Sequence, residues 1–440
     1  MSFIIDKQTL DDLGIFSRNR DVSVFGIYNS VHTRGGARIL EEMFTNPLDD
    51  VEKIRSRSEV IGFFREAGPD FPFKASWFDA AEFYLSDRDV RTRVSGEQDL
   101  MYQKVRRFLK TDTEYRQIQG GITALVTILR ALRLFLDTLA GNMPPAVMAS
   151  AAPVLEILGS PGFARVMEGD VKKLTAEVQD TASLDNFFRY TNVAEVESVL
   201  DFIYRLDVYM SAAKVASERG FVKAEALPPG ENVMDIRGLR HPALSSPVAN
   251  DMTVGEDCNV IFLTGANMAG KSTFMKAFGI AVFLAHVGFP VPAASMRFSV
   301  RDGMYTTINL PDNLNRGYSH FYAEVKRLKK VALSLGTYRN MVVIFDELFR
   351  GTNVRDAYDA TVAVTEAFSG IRQSIFIIST HIIEAGETLR SRCGNIRFLY
   401  LPTRMEGNTP VYTYRLQEGI TEDRHGMLII RNEEILDILN

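Results

Sequence analysis

The run Gly265-Ala266-Asn267-Met268-Ala269-Gly270-Lys271-Ser272, followed by Thr273, fits the pattern G-x-x-x-x-G-K-[ST]. It lies between the apolar run NVIFLT and a long apolar stretch, the strand–turn–helix setting that a phosphate-binding loop (P-loop) requires. Glycines let backbone N–H groups turn inward onto phosphate oxygens, and the start of the following helix adds its positive dipole end. In such a loop Lys271 neutralises the β and γ phosphates of a nucleotide, and the Ser272 hydroxyl ligates Mg²⁺. By average residue usage the string arises in a chain of this length roughly once or twice in a hundred.

Two more groups stand at the ends of apolar runs. MVVIF leads into Asp346-Glu347, and SIFIIST leads into His381. An acid at the C-terminal end of a strand beside the loop's own strand is placed to orient Mg²⁺, so Asp346 is expected to hold the metal through water. Glu347, one residue on, can polarise the attacking water as general base. Adjacent acids at a strand end are common, so this reading depends on the loop. A lone histidine is more often structural than catalytic, but the position of His381 favours a γ-phosphate contact that distinguishes ATP from ADP.

The elements that must carry these residues differ between the two halves. After LPPGEN, residues 227–232, short β-branched runs alternate with helical stretches, which predicts an α/β domain with parallel strands covered by helices. IRFLYL and VYTYRL flank GNTP and are expected to form an antiparallel hairpin on the sheet edge. The first half reads as helical. Leu125, Ile128, Leu129, Leu132, Leu136 and Leu139 recur at helical spacing, as do Val196, Val199, Leu200, Ile203, Leu206 and Met210. The expected domains are therefore 1–232, all-α, and 233–440, α/β.

Composition bounds the function classes. The 440 residues are 46% hydrophobic and 24% charged, with a formal net charge of -5, so there is no bulk electrostatic case for nucleic acid. Lys104, Arg106, Arg107 and Lys110 form one basic cluster, and Lys326, Arg327, Lys329 and Lys330 another. Each reads as a solvated helix face or as a contact to a phosphate backbone, and the acidic balance favours the first. Two cysteines, Cys258 and Cys393, have no metal spacing and suit a reducing compartment. Residues 278–294 are the most membrane-like stretch, but His286, Gly288, Pro290 and Pro292 interrupt them, which predicts a core helix running into a turn. A cytoplasmic protein without a membrane partner is expected.

Together the loop, the acidic pair and His381 resemble the ABC superfamily, and the residues between them resemble the MutS mismatch-repair family. TGANMAGKST looks like the family's TGPNMGGKST, including Asn267 and Met268. FDELFRGTNVRDA resembles LDEIGRGTSTYDG, with Gly351-Thr352 and Asp356 in the segment that faces a partner subunit, and STH resembles ATH. Gly317-Tyr318-Ser319-His320-Phe321 with Glu324 resembles GRSTFMVE, the family's signature segment. The resemblance implies that Asn267 helps place the hydrolytic water and that Ser319 caps the γ-phosphate held by the other subunit. It thereby implies a homodimer built through the ATPase domains, hydrolysing ATP with Mg²⁺ in composite sites.

The likeness extends, more loosely, into the first half. Residues from Ser23, including Thr33, Gly36, Arg38, Asn46-Pro47-Leu48 and Arg57, look like the start of the family's core and lever region, and GLRHPAL looks like the return into the ATPase domain. The core-like pattern begins within the first few dozen residues, which implies a short member without the mismatch-reading domain and with reduced lever arms. RHGMLIIRNEEILD near the end implies shortened dimerising helices. The function expected is an ATP-gated protein acting on double-stranded or branched DNA in mismatch repair or related processing. The alternative is a nucleotide-switched scaffold that binds protein or structured RNA and reads no mismatches.

Overall fold

The computed structural model describes residues 3–16, 23–87, 112–175, 177–308, 320–406, 409–421 and 438. Its contacts divide the chain into two compact units. One comprises Met1–Tyr28, Met43–Ser58 and Val215–Asn440, and the other comprises Asn29–Glu42 and Glu59–Lys214. This differs from a single cut after Asn232, because two N-terminal segments belong with the later half of the chain.

In the first unit the strands are, in chain order, β1 Ile4–Ile5, β2 Glu225–Leu227, β3 Met234–Leu239, β4 Asn250–Val254, β5 Val260–Gly265, β6 Ser295–Ser299 and β7 Gly303–Thr307. They continue with β8 Met341–Phe345, β9 Ile375–Ser379, β10 Ile396–Leu401, β11 Thr403–Glu406, β12 Thr409–Tyr412 and β13 Gln417–Glu418. Its principal helices are α1 Lys7–Asp12, α2 Lys271–Val287, α3 His320–Thr337, α4 Val354–Ser369 and α5 Ile383–Arg392. Among the described residues the main sheet has the order β1-β7-β8-β9-β5-β10-β13. All neighbours are parallel except β10 and β13. This is the mixed α/β arrangement expected. A second sheet, β2-β6-β3-β4, lies beside it in the chain.

The sequence of the central strands explains their position. VIFLTG, MVVIF and IFIIS are buried at every residue, as strands covered on both faces must be. Phe345 and Phe376 stack on Phe368 of α4, at ring separations of 6.0 Å and 4.4 Å. Helix α2 is buried from Ala277 through Val287, which accounts for its membrane-like composition. It ends at Gly288, φ 79°, where Gly288 N donates to Ala285 O and Phe289 N to Leu284 O, the paired bonds of a left-handed helix cap. No single helix among the described residues is long and apolar enough to cross a membrane.

Two features of this unit were not expected. The hairpin between IRFLYL and VYTYRL does not form. IRFLYL is an interior strand, β10, paired with β5, while β11 and β12 make their own two-stranded ribbon and β13 takes the edge. Burial on both faces makes β10 a better partner for β5 than for a polar strand. At the opposite edge the N-terminus adds β1 parallel to β7. Gly303 permits this approach, since a Cβ there would lie 2.4 Å from Ile4 O. Leu13, just after α1, packs against Gly279 of α2, where a Cβ would lie 2.7 Å from its Cδ2.

The described elements of the other unit are helical. Leu125, Ile128, Leu129, Leu132 and Leu136 of the helix Asp112–Leu139 are buried, as are Val196, Val199, Leu200, Ile203, Leu206 and Met210 of Val193–Arg219. Both stripes therefore form core. Gly121 faces the ring of Tyr84, where a Cβ would lie 2.2 Å from that side chain. Below that contact, Arg189 grips Asp185 through two bonds of 2.6 Å and 2.7 Å, and Tyr84 donates to Asp185 at 2.9 Å. The cluster Lys104, Arg106, Arg107 and Lys110 lies outside the described residues.

Gly303→Val is expected to push β1 off the sheet edge and to destabilise the protein by roughly 1–3 kcal/mol, the usual cost of overpacking. The check is the urea midpoint. A midpoint equal to the wild type would mean that β1 contributes nothing to the fold.

Candidate functional site

The site is built where β5, β8 and β9 end on the same side of the sheet. β5 stops at Gly265, whose φ is 147° and where a Cβ would lie 3.1 Å from Leu401 O, so a side chain is excluded. Gly270, φ 102°, takes the chain into α2, and a Cβ on it would lie 3.0 Å from the Tyr414 ring. Between them Ala269 is buried and donates its N–H to Ala266 O, while Met268 is 77% exposed with φ 67°. The two glycines thus sit where the backbone needs them, and alanine suffices at 266 and 269.

Lys271 begins the helix and is buried. Its Nζ donates to Gly265 O at 2.9 Å and to Ala266 O at 3.1 Å, so the ammonium lies under the loop. Burial pushes its pKa down, against the opposing pull of the Asp346 and Glu347 carboxylates. Ser272 Oγ donates to Asp346 Oδ2 at 2.6 Å, and Ser379 Oγ at the end of β9 donates to Asp346 Oδ1 at 2.5 Å. Asp346 N donates to Thr307 O at the end of β7, at 2.9 Å. Asp346 is thereby fixed from two neighbouring strands, β7 and β9, and from the loop helix.

Glu347 has φ 52°, a left-handed conformation that costs a non-glycine residue on the order of 1–3 kcal/mol and persists only where its surroundings enforce it. Here Glu347 N donates to Ser379 O at 3.1 Å. The turn aims the side chain at His381, whose Nε2 lies 2.7 Å from Oε1, and Arg350 stands 3.2 Å from Oε2. The bond to His381, foremost, holds the Glu347 carboxyl below the ordinary glutamate range. Partial burial acts the other way, while the charges of His381, Arg350 and Lys271 add to the lowering. The same pairing that keeps the carboxylate ionised to lower pH also fixes its position, at some cost in basicity.

Ala266, Asn267, Met268, Gly270, Lys271, Ser272, Thr273 and Glu347 line one cavity of about 440 Å³. Asp346 reaches it through Ser272, and His381 through Glu347. Ser319 lies outside the described residues. Hard oxygens from Ser272 and Asp346 are the donor set that Mg²⁺ takes when substrate phosphates complete its shell. Among the described residues no group of three or more His, Cys, Asp or Glu side chains forms a metal cage.

The far wall of the cavity was missed in the sequence. It comes from residues 239–250, including His241, Leu244, Val248 and Asn250, together with Tyr414. Asn250 clamps the last of these: its Nδ2 donates to Tyr414 O at 2.9 Å and its Oδ1 accepts from Leu416 N at 2.7 Å. The two segments are far apart in the chain, so no local spacing could pair them. The basic cluster on α3 also resolves. Arg327 and Lys330 both pair with Asp6, and Lys326 lies over the Tyr322 ring at 4.8 Å.

Residues 261–436 match the family described as MutS domain V. The DNA mismatch repair protein MutS of Alkaliphilus metalliredigens is 29% identical over 246 residues, 54% of this chain and 27% of that protein. That of Fusobacterium nucleatum is 28% identical over 267 residues, 59% of this chain and 28% of its own length. That of Anaplasma phagocytophilum is 31% identical over 228 residues, 51% and 27% respectively. Each match thus covers under a third of the relative's length.

The lowered Glu347 pKa stabilises the fold above the unfolded value of about 4.3. That contribution is lost as pH falls through the folded value. His381→Ala is expected to move the Glu347 pKa upward, narrowing this window. Carboxyl ¹³C titration, assigned with Glu347→Gln, checks it; an unmoved titration would assign the lowering to Arg350 and Lys271 instead.

Proposed function

We propose, for a chain that is MutS-like and carries the MutS domain V, that the cavity at Lys271 is an ABC-type P-loop site that binds and hydrolyses MgATP. The observation that carries this reading is the Asp346 carboxylate, held 2.6 Å from Ser272 Oγ beside a Glu347 carboxylate paired with His381. Phosphates lie against the backbone N–H groups of residues 265–272 and the start of α2. Lys271 Nζ exchanges its two carbonyl partners for phosphate oxygens. Ser272 and Asp346 hold the Mg²⁺ that accompanies the nucleotide, Asp346 through water. The base lies against Leu244, Val248 and the Tyr414 ring, part of the cavity's apolar lining.

Glu347 accepts the proton of the attacking water, and Asn267 helps to place that water. His381 keeps Glu347 aimed, and it contacts the γ-phosphate so as to distinguish ATP from ADP. Ser319 reaches across to a partner's nucleotide, so the active form is a homodimer through the ATPase domains. Exposed Tyr322 and Leu333 on α3, and Val354 at the start of α4, supply apolar surface that suits a second copy. The helical unit acts as a lever-like domain on double-stranded or branched DNA, in mismatch repair or related processing inside the cytoplasm.

A second reading is a nucleotide-switched scaffold for protein or structured RNA. It is favoured by the pairing of Arg327 and Lys330 with Asp6, which removes two cations from the candidate DNA-binding surface. Binding to homoduplex, mismatched and branched DNA across a salt series separates the two. Steep salt dependence with a preference among DNA structures supports action on DNA. No binding at low salt leaves the scaffold.

Glu347→Gln is expected to lower ATP turnover by roughly 10²–10⁴-fold, the usual contribution of a general base, while trapping an ATP-bound dimer. Light scattering on the variant at saturating ATP checks the second outcome. A monomer under those conditions would rule out the composite site.

A further inference from the structure

The N-terminal segment reaches the site's framework at the end of β7. Asp12 is 3% exposed, and its Oδ2 accepts from Thr306 Oγ1 at 2.7 Å and from Ile308 N at 2.9 Å. Its Oδ1 accepts from Gln8 Nε2 at 2.8 Å. Thr9 Oγ1 accepts from Thr306 N at 3.0 Å and donates to Asp6 Oδ1 at 2.8 Å. Asp6 then pairs with Arg327 and, at 2.5 Å, with Lys330 of α3. Arg327 returns to the same strand end, donating to Thr306 O at 2.7 Å. The next carbonyl, Thr307 O, receives the N–H of Asp346.

We propose that residues 3–15 form a positioning clamp for the hydrolytic centre, with Asp12 and Asp6 as its positioning residues. The inference rests on the nucleotide site proposed above. An edge strand needs no buried carboxylates to stay attached, and burying them costs desolvation that only good pairing offsets. Apolar contacts such as Leu13 on Gly279 would hold the segment without direction. What the carboxylates add is geometry. Asp12 fixes Ile308, where the chain leaves β7, and Asp6 fixes Arg327 on α3, where the chain has returned. Thr307 O between them sets the backbone of Asp346. Among the described residues, the bonds above tie Asp12 and Asp6 to the end of β7 and to α3 rather than to the loop, so they act through Thr307 and Arg327.

The test compares wild type, Asp12→Ala and Asp12→Asn. Asparagine can keep both acceptor bonds of Oδ2 through its own Oδ1, provided the Gln8 amide turns to present oxygen. Asp12→Ala is expected to lower kcat for ATP by about tenfold or more, the scale of a sub-ångström misplacement. KM and the affinity for ADP should stay within about twofold of the wild type, and Asp12→Asn should restore kcat. A merely structural role would lower the melting temperature and leave this split unseen. Thr306→Val, which removes one of the two bonds, serves if the alanine variant does not fold.

Hydrogen exchange of the Ile308 and Asp346 amides, measured without nucleotide, is the readout independent of hydrolysis. Faster exchange at both in Asp12→Ala supports the clamp. Unchanged exchange overturns it, and so does faster exchange with kcat at the wild-type value. A wild type that hydrolyses no ATP removes the hydrolytic reading, and the exchange data then decide the clamp by themselves.

Discussion

The structure around the site depends on one carboxylate. Asp346 is bonded to Ser272 on one oxygen and to Ser379 on the other, while its backbone N–H is held by Thr307. Those partners come from three chain segments that are neighbours only because β7, β8, β9 and β5 lie side by side and parallel. Parallel order puts all their C-terminal ends on one edge, which is where α/β sheets bind ligands. Reverse any one strand, and a partner of Asp346 moves to the other end of the sheet. The long apolar runs, the covering helices and the crossover connections are the means by which that edge is assembled.

The parts of this arrangement that were legible in the sequence are those encoded within a few residues. Gly265 and Gly270 bracket a loop whose spacing is set by backbone geometry, and each acid or histidine directly follows an apolar strand. Tyr414 and Asn250 were not legible, because a cavity wall made by two distant segments leaves no periodicity in either. The edge hairpin failed for a related reason. IRFLYL and VYTYRL are neighbours in sequence and both rich in aromatic residues, but β10 found a partner in β5 that buries both its faces.

The helical unit shows the same division. Its leucine and valine stripes announced a core, and those side chains are buried except Leu139 at a helix end, which is half-buried. The Tyr84–Asp185–Arg189 cluster inside that unit carries no such signature, since an aspartate and an arginine four residues apart read equally well as a surface pair. The basic run on α3 misled in the opposite sense. Lys326, Arg327, Lys329 and Lys330 look like a patch in sequence, yet Asp6, some three hundred residues earlier, takes up two of them. Charge patterns report composition along a helix, and only the fold reports which charges have been answered.

The pairing of β1 with β7 also has a bearing on how the chain assembles. Ile4 leaves the ribosome some three hundred residues ahead of its partner Gly303. At ordinary translation rates that interval is on the order of tens of seconds. For that time the segment has no sheet edge to join, and the loop closed when it docks encompasses the whole helical unit. Contacts of such separation form late and slowly. Docking of β1, and with it the setting of Asp12 against β7, therefore has to wait until the helical unit and β7 have both been made.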